Sequence, residues 1–93
     1  MIVGVPREIV DQEYRVALTP QGAHELVMEG HRVLLERGAG EGSSISDADF
    51  RDAGAVIVES AEDVFSEAEM VLKVKDPQPS EFHLLRENQI LFT

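Results

Sequence analysis

The chain alternates between short apolar runs and polar segments that carry helical periodicity. The apolar runs fall at residues 2–5, 32–36, 55–58, 70–77 and 89–92, and the fourth of them ends in charged residues. Near-continuous apolar runs are typical of strands buried on both faces, and strands that alternate with helices imply parallel βαβ units. We therefore predict an α/β fold, with a flavodoxin- or Rossmann-like parallel sheet of about five strands and helices on both faces.

Helix start and stop signals lie between these runs. Thr19 and Pro20 combine an N-cap residue with proline at the first helical position, and Gly30 supplies a C-terminal stop. Ser46 is followed three residues later by Asp49, which is the spacing of a capping box. The predicted N-cap residues of four helices are Thr19, Ser46, Ser60 and Ser80.

Composition narrows the possible functions of the chain. Its 93 residues make one small domain, and the formal net charge of −10 argues against nucleic acid or an anionic membrane as a partner. No apolar run approaches the ~20 residues of a membrane span, and no signal peptide is visible. The absence of cysteine excludes disulfides and a thiol nucleophile. Because it also fits a reducing compartment, we expect a cytoplasmic protein.

The last apolar run lacks a covering element. Thr93 directly follows this run, and no helix remains to cover that side of the sheet. A strand buried on both faces needs cover on both. We therefore expect residues 1–93 to be an N-terminal domain fragment of a longer polypeptide, or to be completed by a partner segment.

Lys75 is the first candidate for chemistry. It follows the buried run that begins at Met70, just before Asp76 and Pro77, and proline stops a strand ladder. In open α/β sheets, ligands bind at the carboxyl ends of the strands. Two interpretations stay open on this stretch alone: a solvated lysine at a strand end, or a lysine that reaches toward a small anionic or carbonyl-bearing ligand.

Arg15 is the second candidate. It lies in the loop after the first strand, which emerges at the same edge of a parallel sheet as Lys75. The planar guanidinium suits a carboxylate, and the compact ammonium of a lysine suits a carbonyl oxygen. Together the two side chains would hold both ends of a 2-oxo acid. The alternative is that Arg15 pairs with one of the 18 acidic side chains at the surface.

Two other patterns favour ordinary structure over chemistry. The loop Gly38–Ser43 lies between a strand and a helix, but Ser43 stands where a dinucleotide-binding fingerprint needs its third glycine. The loop also follows the second strand instead of the first, so we interpret it as a flexible turn. His24, His31 and His83 have no His or Cys at ligand spacing. We interpret them as surface or capping residues and predict no metal site.

Six segments of the chain match one protein family in register. They are Gly4-Val5-Pro6-Arg7-Glu8, Glu13-Tyr14-Arg15-Val16-Ala17-Leu18-Thr19-Pro20, Gly38-Ala39-Gly40, Ala53-Gly54-Ala55, Lys73-Val74-Lys75-Asp76-Pro77 and Ile90-Leu91-Phe92-Thr93. These segments resemble the N-terminal domain of the alanine dehydrogenase and NAD(P) transhydrogenase α-subunit family. Lys75 favours the dehydrogenases, because the transhydrogenases usually have a neutral residue there. Asp76 departs from the glutamate that the family pattern has at this position.

The resemblance implies a two-domain enzyme that interconverts L-alanine, NAD⁺ and water with pyruvate, NADH and ammonium. It implies that Arg15 binds the substrate carboxylate and Lys75 its carbonyl oxygen. It places the catalytic histidine and the NAD-binding fingerprint beyond Thr93, so we expect no turnover from these residues alone. It also implies a homo-oligomer, a hexamer in this family. Two alternatives stay open: the transhydrogenase α subunit, and a non-catalytic binding module for 2-oxo acids.

Overall fold

A computed structural model describes residues 1–93 as a five-stranded sheet with helices on both faces. The strands are β1 (Ile2–Val5), β2 (Arg32–Glu36), β3 (Val56–Val58), β4 (Met70–Leu72) and β5 (Ile90–Phe92). The helices are α1 (Pro20–Met28), α2 (Asp47–Asp52) and α3 (Ala61–Glu67), with a 3₁₀ turn at Glu41–Ser43 and a 3₁₀ helix at Pro79–Leu84. The predicted α/β class is confirmed.

All strand pairs are parallel, and the strand order is β3-β2-β1-β4-β5. This is the order of the Rossmann fold, whereas flavodoxin-type sheets have the order 2-1-3-4-5. The chain moves outward from β1 through β2 to β3, then returns to place β4 on the other side of β1. The order therefore reverses beside β1, and the carboxyl ends of β1 and β4 lie together at this switch point.

Each face of the sheet has its own core. On one face α1 and α2 pack against β1, β2 and β3, and the fully or nearly buried residues there are Val5, Ala23, Val33, Leu35, Ala39, Phe50 and Ala55. On the other face α3 packs against β1, with Phe65, Ala68 and Val71 buried. Gly4 permits this approach, since a Cβ atom on it would lie 2.6 Å from Val64 Cγ1. The close contact fixes α3 over the central strand.

Three of the four predicted helix starts are confirmed. The hydroxyl of Thr19 accepts a hydrogen bond from the Gly22 amide at 3.1 Å, and Ser60 caps α3 in the same way. Ser46 and Asp49 form a complete capping box at the start of α2. These side chains satisfy amide groups that the first turn of a helix leaves without partners.

The prediction that Ser80 caps the last helix is wrong. That element is a 3₁₀ helix that begins at Pro79, and Gln78 occupies the N-cap position. Proline has a fixed φ and no amide hydrogen, so it suits the first helical position and moves the cap one residue upstream of itself. The Glu81 carboxylate accepts a hydrogen bond from the Gln78 amide at 2.9 Å and completes this start.

The fourth strand is shorter than its apolar run indicates. Strand β4 ends at Leu72, and the residues that follow turn away from β1 at the switch point. At the sheet edge, β5 is exposed on all three residues, with Phe92 66% accessible to solvent. The segment after β4 therefore lies at the rim of the sheet, where the Lys75 side chain is 47% accessible.

Candidate functional site

Two segments meet at the carboxyl edge of the sheet where the strand order reverses. One is the long loop at residues 6–19, which links β1 to α1, and the other is the segment at residues 73–78, which follows β4. The carboxyl edge of a parallel sheet at a switch point is where ligands bind in open α/β folds. The predicted candidates Arg15 and Lys75 lie on these two segments.

Arg15 is held by the carboxylate of Glu13 two residues earlier in the loop. Arg15 Nε donates to Glu13 Oε2 at 2.9 Å, and Arg15 Nη2 donates to Glu13 Oε1 at 2.6 Å. The Arg15 amide also donates to Glu13 Oε2 at 3.0 Å. The pairing of Arg15 with an acidic side chain, one of the two open interpretations, therefore occurs.

Lys75 approaches the same carboxylate from the other segment. Lys75 Nζ lies 4.0 Å from Glu13 Oε1, the atom that also accepts from Arg15 Nη2. The side chains of Arg15 and Lys75 are 66% and 47% accessible, whereas Glu13 is 6% accessible. The structure therefore brings the two predicted cations together on one rim, around one buried carboxylate, with their charged groups open to solvent.

The pairing of Glu13 with Arg15 shifts the pKa values of both groups. The hydrogen bond from the Arg15 side chain is the main reason that the pKa of Glu13 falls from 4.5 to about 2. The same pairing raises the pKa of Arg15. Glu13 occupies the Nε and Nη2 side of the guanidinium, and Nη1 makes no hydrogen bond to the protein. An arginine held along one side retains its terminal nitrogens for a second, external carboxylate.

A second, buried cluster lies directly beneath the rim. Glu8 accepts hydrogen bonds from the amides of Val74 at 3.0 Å and Lys75 at 3.1 Å. It also contacts Lys73 Nζ at 3.2 Å, and Glu81 lies 3.3 Å from the same nitrogen. The side chains of Lys73, Glu8 and Glu81 are 0%, 2% and 4% accessible. Buried charges need such mutual pairing. Glu8 joins the two rim segments through its bonds to the amides of Val74 and Lys75.

Sequence reasoning missed the carboxylates that hold the two cations. Glu13 had a usable signal, because an acidic residue two positions before a candidate arginine in a loop is within reach of it. No sequence signal pointed to Glu8 or to its partner Lys73, since the two are 65 residues apart and only the tertiary fold brings them together. A lysine at a strand end also indicates exposure, whereas Lys73 is fully buried.

A polar groove of ≈ 250 Å³ lies beside Arg15. Its walls are the loop at residues 7–15 and the glycine-rich loop at Gly38, Ala39 and Gly42. The two walls are tied together, because Ser43 Oγ donates to the Tyr14 carbonyl oxygen at 2.8 Å. The 3₁₀ turn at Glu41–Ser43 therefore supports the backbone that carries Arg15.

Four of the six amides at residues 38–43 of the glycine-rich loop are already bonded within the protein. The Gly38 amide donates to Asp47 Oδ1 at 3.0 Å, and the Glu41 and Ser43 amides donate to carbonyl oxygens of the loop itself. Nucleotide-binding loops instead direct such amides at the ligand. The loop is a turn, as predicted, and it does not fit the pyrophosphate of a dinucleotide.

The histidines lie away from the rim cations. His24 and His83 are exposed, and His31 Nδ1 lies 2.9 Å from the amino group of Met1 at the opposite end of the sheet. The structure contains no group of three His, Asp or Glu side chains with the geometry to hold a metal ion. None of its helices combines the length and the apolar character needed to span a membrane.

Comparison with known proteins identifies related sequences over the whole chain. Residues 4–93 match the family described as "Alanine dehydrogenase/PNT, N-terminal domain". The alanine dehydrogenase of Mycolicibacterium smegmatis is 56% identical over 93 residues, which make up 100% of this chain and 25% of that protein. The alanine dehydrogenase of Bacillus subtilis is 50% identical over the same length and 24% of that protein. The chain thus spans about a quarter of the length of these relatives.

Solved structures agree with these sequence relationships. An L-alanine dehydrogenase structure superposes with a TM-score of 0.95 at 46% identity, covering 98% of this chain and 25% of that one. A transhydrogenase from Sinorhizobium meliloti superposes with a TM-score of 0.91 at 33% identity, covering 98% of this chain and 26% of that one. Both folds match the observed sheet, and the dehydrogenase is the more similar in sequence.

Proposed function

Because the chain belongs to the alanine dehydrogenase/PNT N-terminal domain family, we propose that residues 1–93 form the substrate-binding side of an NAD-dependent L-alanine dehydrogenase. Such an enzyme interconverts L-alanine with pyruvate and ammonium. The identity of 50–56% to two alanine dehydrogenases supports this activity over that of the transhydrogenase, which is 33% identical. Cytoplasmic location and assembly into a homo-oligomer, a hexamer as in the family, are part of the same proposal.

One observation carries the substrate assignment. Arg15 and Lys75, from segments 60 residues apart in the chain, both approach Glu13 Oε1 at the ligand-binding edge of the sheet. In our proposal, the exposed end of the Arg15 guanidinium binds the substrate carboxylate. Lys75 donates to the carbonyl oxygen of pyruvate and offsets the negative charge that develops there. Both groups of a three-carbon 2-oxo acid would then be held by the same rim.

The nicotinamide cofactor is assigned to the part of the protein outside these residues. NAD⁺ supplies hydride transfer when bound, but the glycine-rich loop of this chain does not fit its pyrophosphate, since Ser43 replaces the third glycine and four of the six loop amides are bonded within the protein. The contribution of this chain is therefore to bind and orient the substrate. We propose that residues 1–93 have no turnover on their own.

A chimera tests the proposal. In the Mycolicibacterium smegmatis enzyme, residues 1–93 replace the matching quarter of the chain, and alanine oxidation and the reverse amination of pyruvate are each followed by NADH absorbance. We expect activity in the chimera, and a rise of roughly ten- to a hundredfold in the KM for pyruvate with Arg15→Lys, because lysine cannot form two parallel hydrogen bonds. We expect Lys75→Met to lower kcat strongly, because no donor then faces the carbonyl oxygen.

The matched control is Arg37→Lys. Arg37 is as exposed as Arg15, at 68%, and makes one exposed contact with Glu59 at 3.2 Å. Such a surface pair contributes little, so we expect unchanged KM and kcat. An Arg15→Lys chimera with the same KM as the Arg37→Lys chimera would exclude Arg15 as the carboxylate ligand. A chimera that folds but does not deaminate alanine would count against the dehydrogenase activity and favour the transhydrogenase alternative, and pyruvate binding without turnover would favour the binding module.

A further inference from the structure

We propose that Glu8 is the positioning residue that fixes Lys75 at the rim. This inference deepens the proposed function and rests on it, since it explains how the carbonyl-binding lysine is held in place. Glu8 itself is buried beneath the rim and is not open to a substrate, so its action runs through the backbone of the Lys75 segment.

The carboxylate of Glu8 supplies the hydrogen-bond acceptors that a neighbouring strand would otherwise supply. After Leu72 the chain leaves β1, and the amides of Val74 and Lys75 have no backbone acceptor. Glu8 Oε2 accepts from the Val74 amide at 3.0 Å, and Glu8 Oε1 accepts from the Lys75 amide at 3.1 Å. One bidentate carboxylate thus satisfies two successive amides, much as it would bind a guanidinium.

The same carboxylate joins the two halves of the site. Glu8 lies in the loop that carries Arg15, and its two acceptor bonds reach across the switch point to the segment that carries Lys75. The ammonium of Lys73, 3.2 Å from Glu8 Oε1, neutralises the buried charge. The relative position of the two substrate-binding cations therefore depends on Glu8 as well as on Glu13 above it.

Glutamine at position 8 would break this arrangement while it keeps the shape of the side chain. Its amide nitrogen is a donor, so it would face the Val74 amide, the Lys75 amide or the Lys73 ammonium, which are all donors. At least one of these bonds is lost, and the segment at Lys75 gains freedom. Misplacement of a substrate-binding group by about 1 Å can reduce the rate by about a hundredfold.

Glu81 provides a matched control within the same cluster. Its carboxylate lies 3.3 Å from Lys73 Nζ and is 4% accessible, so it shares the burial and the lysine of Glu8. It bonds to the Gln78 amide but not to the amides of Val74 or Lys75. Glu81→Gln therefore removes the same charge from the same cluster and leaves the anchoring of Lys75 intact.

The first measurement is amide hydrogen exchange on the 93-residue chain. We expect the Lys75 and Val74 amides to exchange roughly tenfold faster in Glu8→Gln, relative to the Val71 amide in the same sample, since each loses a charge-assisted bond. In Glu81→Gln we expect the ratio of Lys75 to Val71 exchange to stay at the wild-type value. Equal ratios in the two variants would overturn the positioning role. If Glu8→Gln does not fold, Glu8→Asp, which withdraws the carboxylate by one methylene, is compared in the same way.

The second measurement is the kinetics of the chimera described above. We expect Glu8→Gln to lower kcat/KM for pyruvate about tenfold or more, and Glu8→Asp to restore part of it, whereas Glu81→Gln has an effect of less than about threefold. If pyruvate is not a substrate of the parent chimera, the proposed function fails, and the exchange data still decide the role of Glu8. A kcat/KM in Glu8→Gln equal to that of the parent chimera would refute the positioning role.

Discussion

The substitution Gly42→Ala tests whether the glycine-rich turn supports the Arg15 loop. A Cβ atom on Gly42 would lie 2.8 Å from the Tyr14 carbonyl oxygen and 3.1 Å from Tyr14 Cα. Both are backbone atoms, so no side-chain rotation relieves the contact. An ordinary contact begins at 3.4 Å, and the Tyr14 peptide must therefore retreat by about 0.6 Å, or the turn must distort by a similar amount.

The expected magnitude follows from this displacement. The Tyr14 peptide leads directly into Arg15, whose amide donates to Glu13 Oε2 at 3.0 Å. If a 1 Å misplacement costs about a hundredfold, a shift of about 0.6 Å corresponds to a loss of roughly tenfold in pyruvate recognition. The overpacking also lowers the free energy of unfolding by about 1–3 kcal/mol.

The assay is the KM for pyruvate in the chimera, with thermal melting of the same variant. Gly30→Ala is the control, because Gly30 has a φ of +93°, a Cβ atom on it would meet nothing within 4 Å, and it lies near the amino end of β2. Its alanine variant costs about 1–2 kcal/mol through backbone strain alone, so we expect a lower melting temperature with unchanged KM. A Gly42→Ala variant that melts lower but keeps the parent KM would refute the supporting role of the turn.

Two further substitutions test the electrostatics and the packing. Because the pKa of Glu13 is lowered from 4.5 to about 2, its ionised form stabilises the fold above pH 4.5, and this contribution is lost as the pH falls toward 2. The difference in unfolding free energy between the wild type and Glu13→Gln, measured in urea, should shrink over that interval; a constant difference would contradict the pairing. Gly4→Ala places a Cβ 2.6 Å from Val64 Cγ1 and 2.7 Å from Ala68 Cβ. We expect a loss of about 1–3 kcal/mol in urea unfolding, and equal stability would argue against the close packing of α3.

The fold followed from local signals wherever those signals were strong. The bounds of β1 and β2 agree with their apolar runs, and the serine caps of α2 and α3 act as predicted. Apolar runs and N-cap residues depend only on residues close together in the chain, so they can be recognised from the sequence alone. The start of the last helix was wrong by two positions, because Pro79 can begin a helix as readily as Ser80 can cap one.

The candidate site was predictable only in part. The edge shared by Arg15 and Lys75 followed from parallel topology, since the carboxyl ends of parallel strands emerge together. The partners of these cations did not follow, because Glu8 reaches residues 66 and 67 positions away. The predicted end of β4 is too late for the same reason: the amides of Val74 and Lys75 bond to the Glu8 side chain instead of to a neighbouring strand.

The joint binding of one 2-oxo acid by Arg15 and Lys75 is tested most directly by nuclear magnetic resonance of the 93-residue chain, labelled with ¹⁵N and titrated with pyruvate. We predict that the Arg15 Nε–H signal and the Lys75 amide signal shift together along one binding curve, with the same dissociation constant. Signals that do not shift up to saturating pyruvate, or that follow different curves, would contradict a shared site.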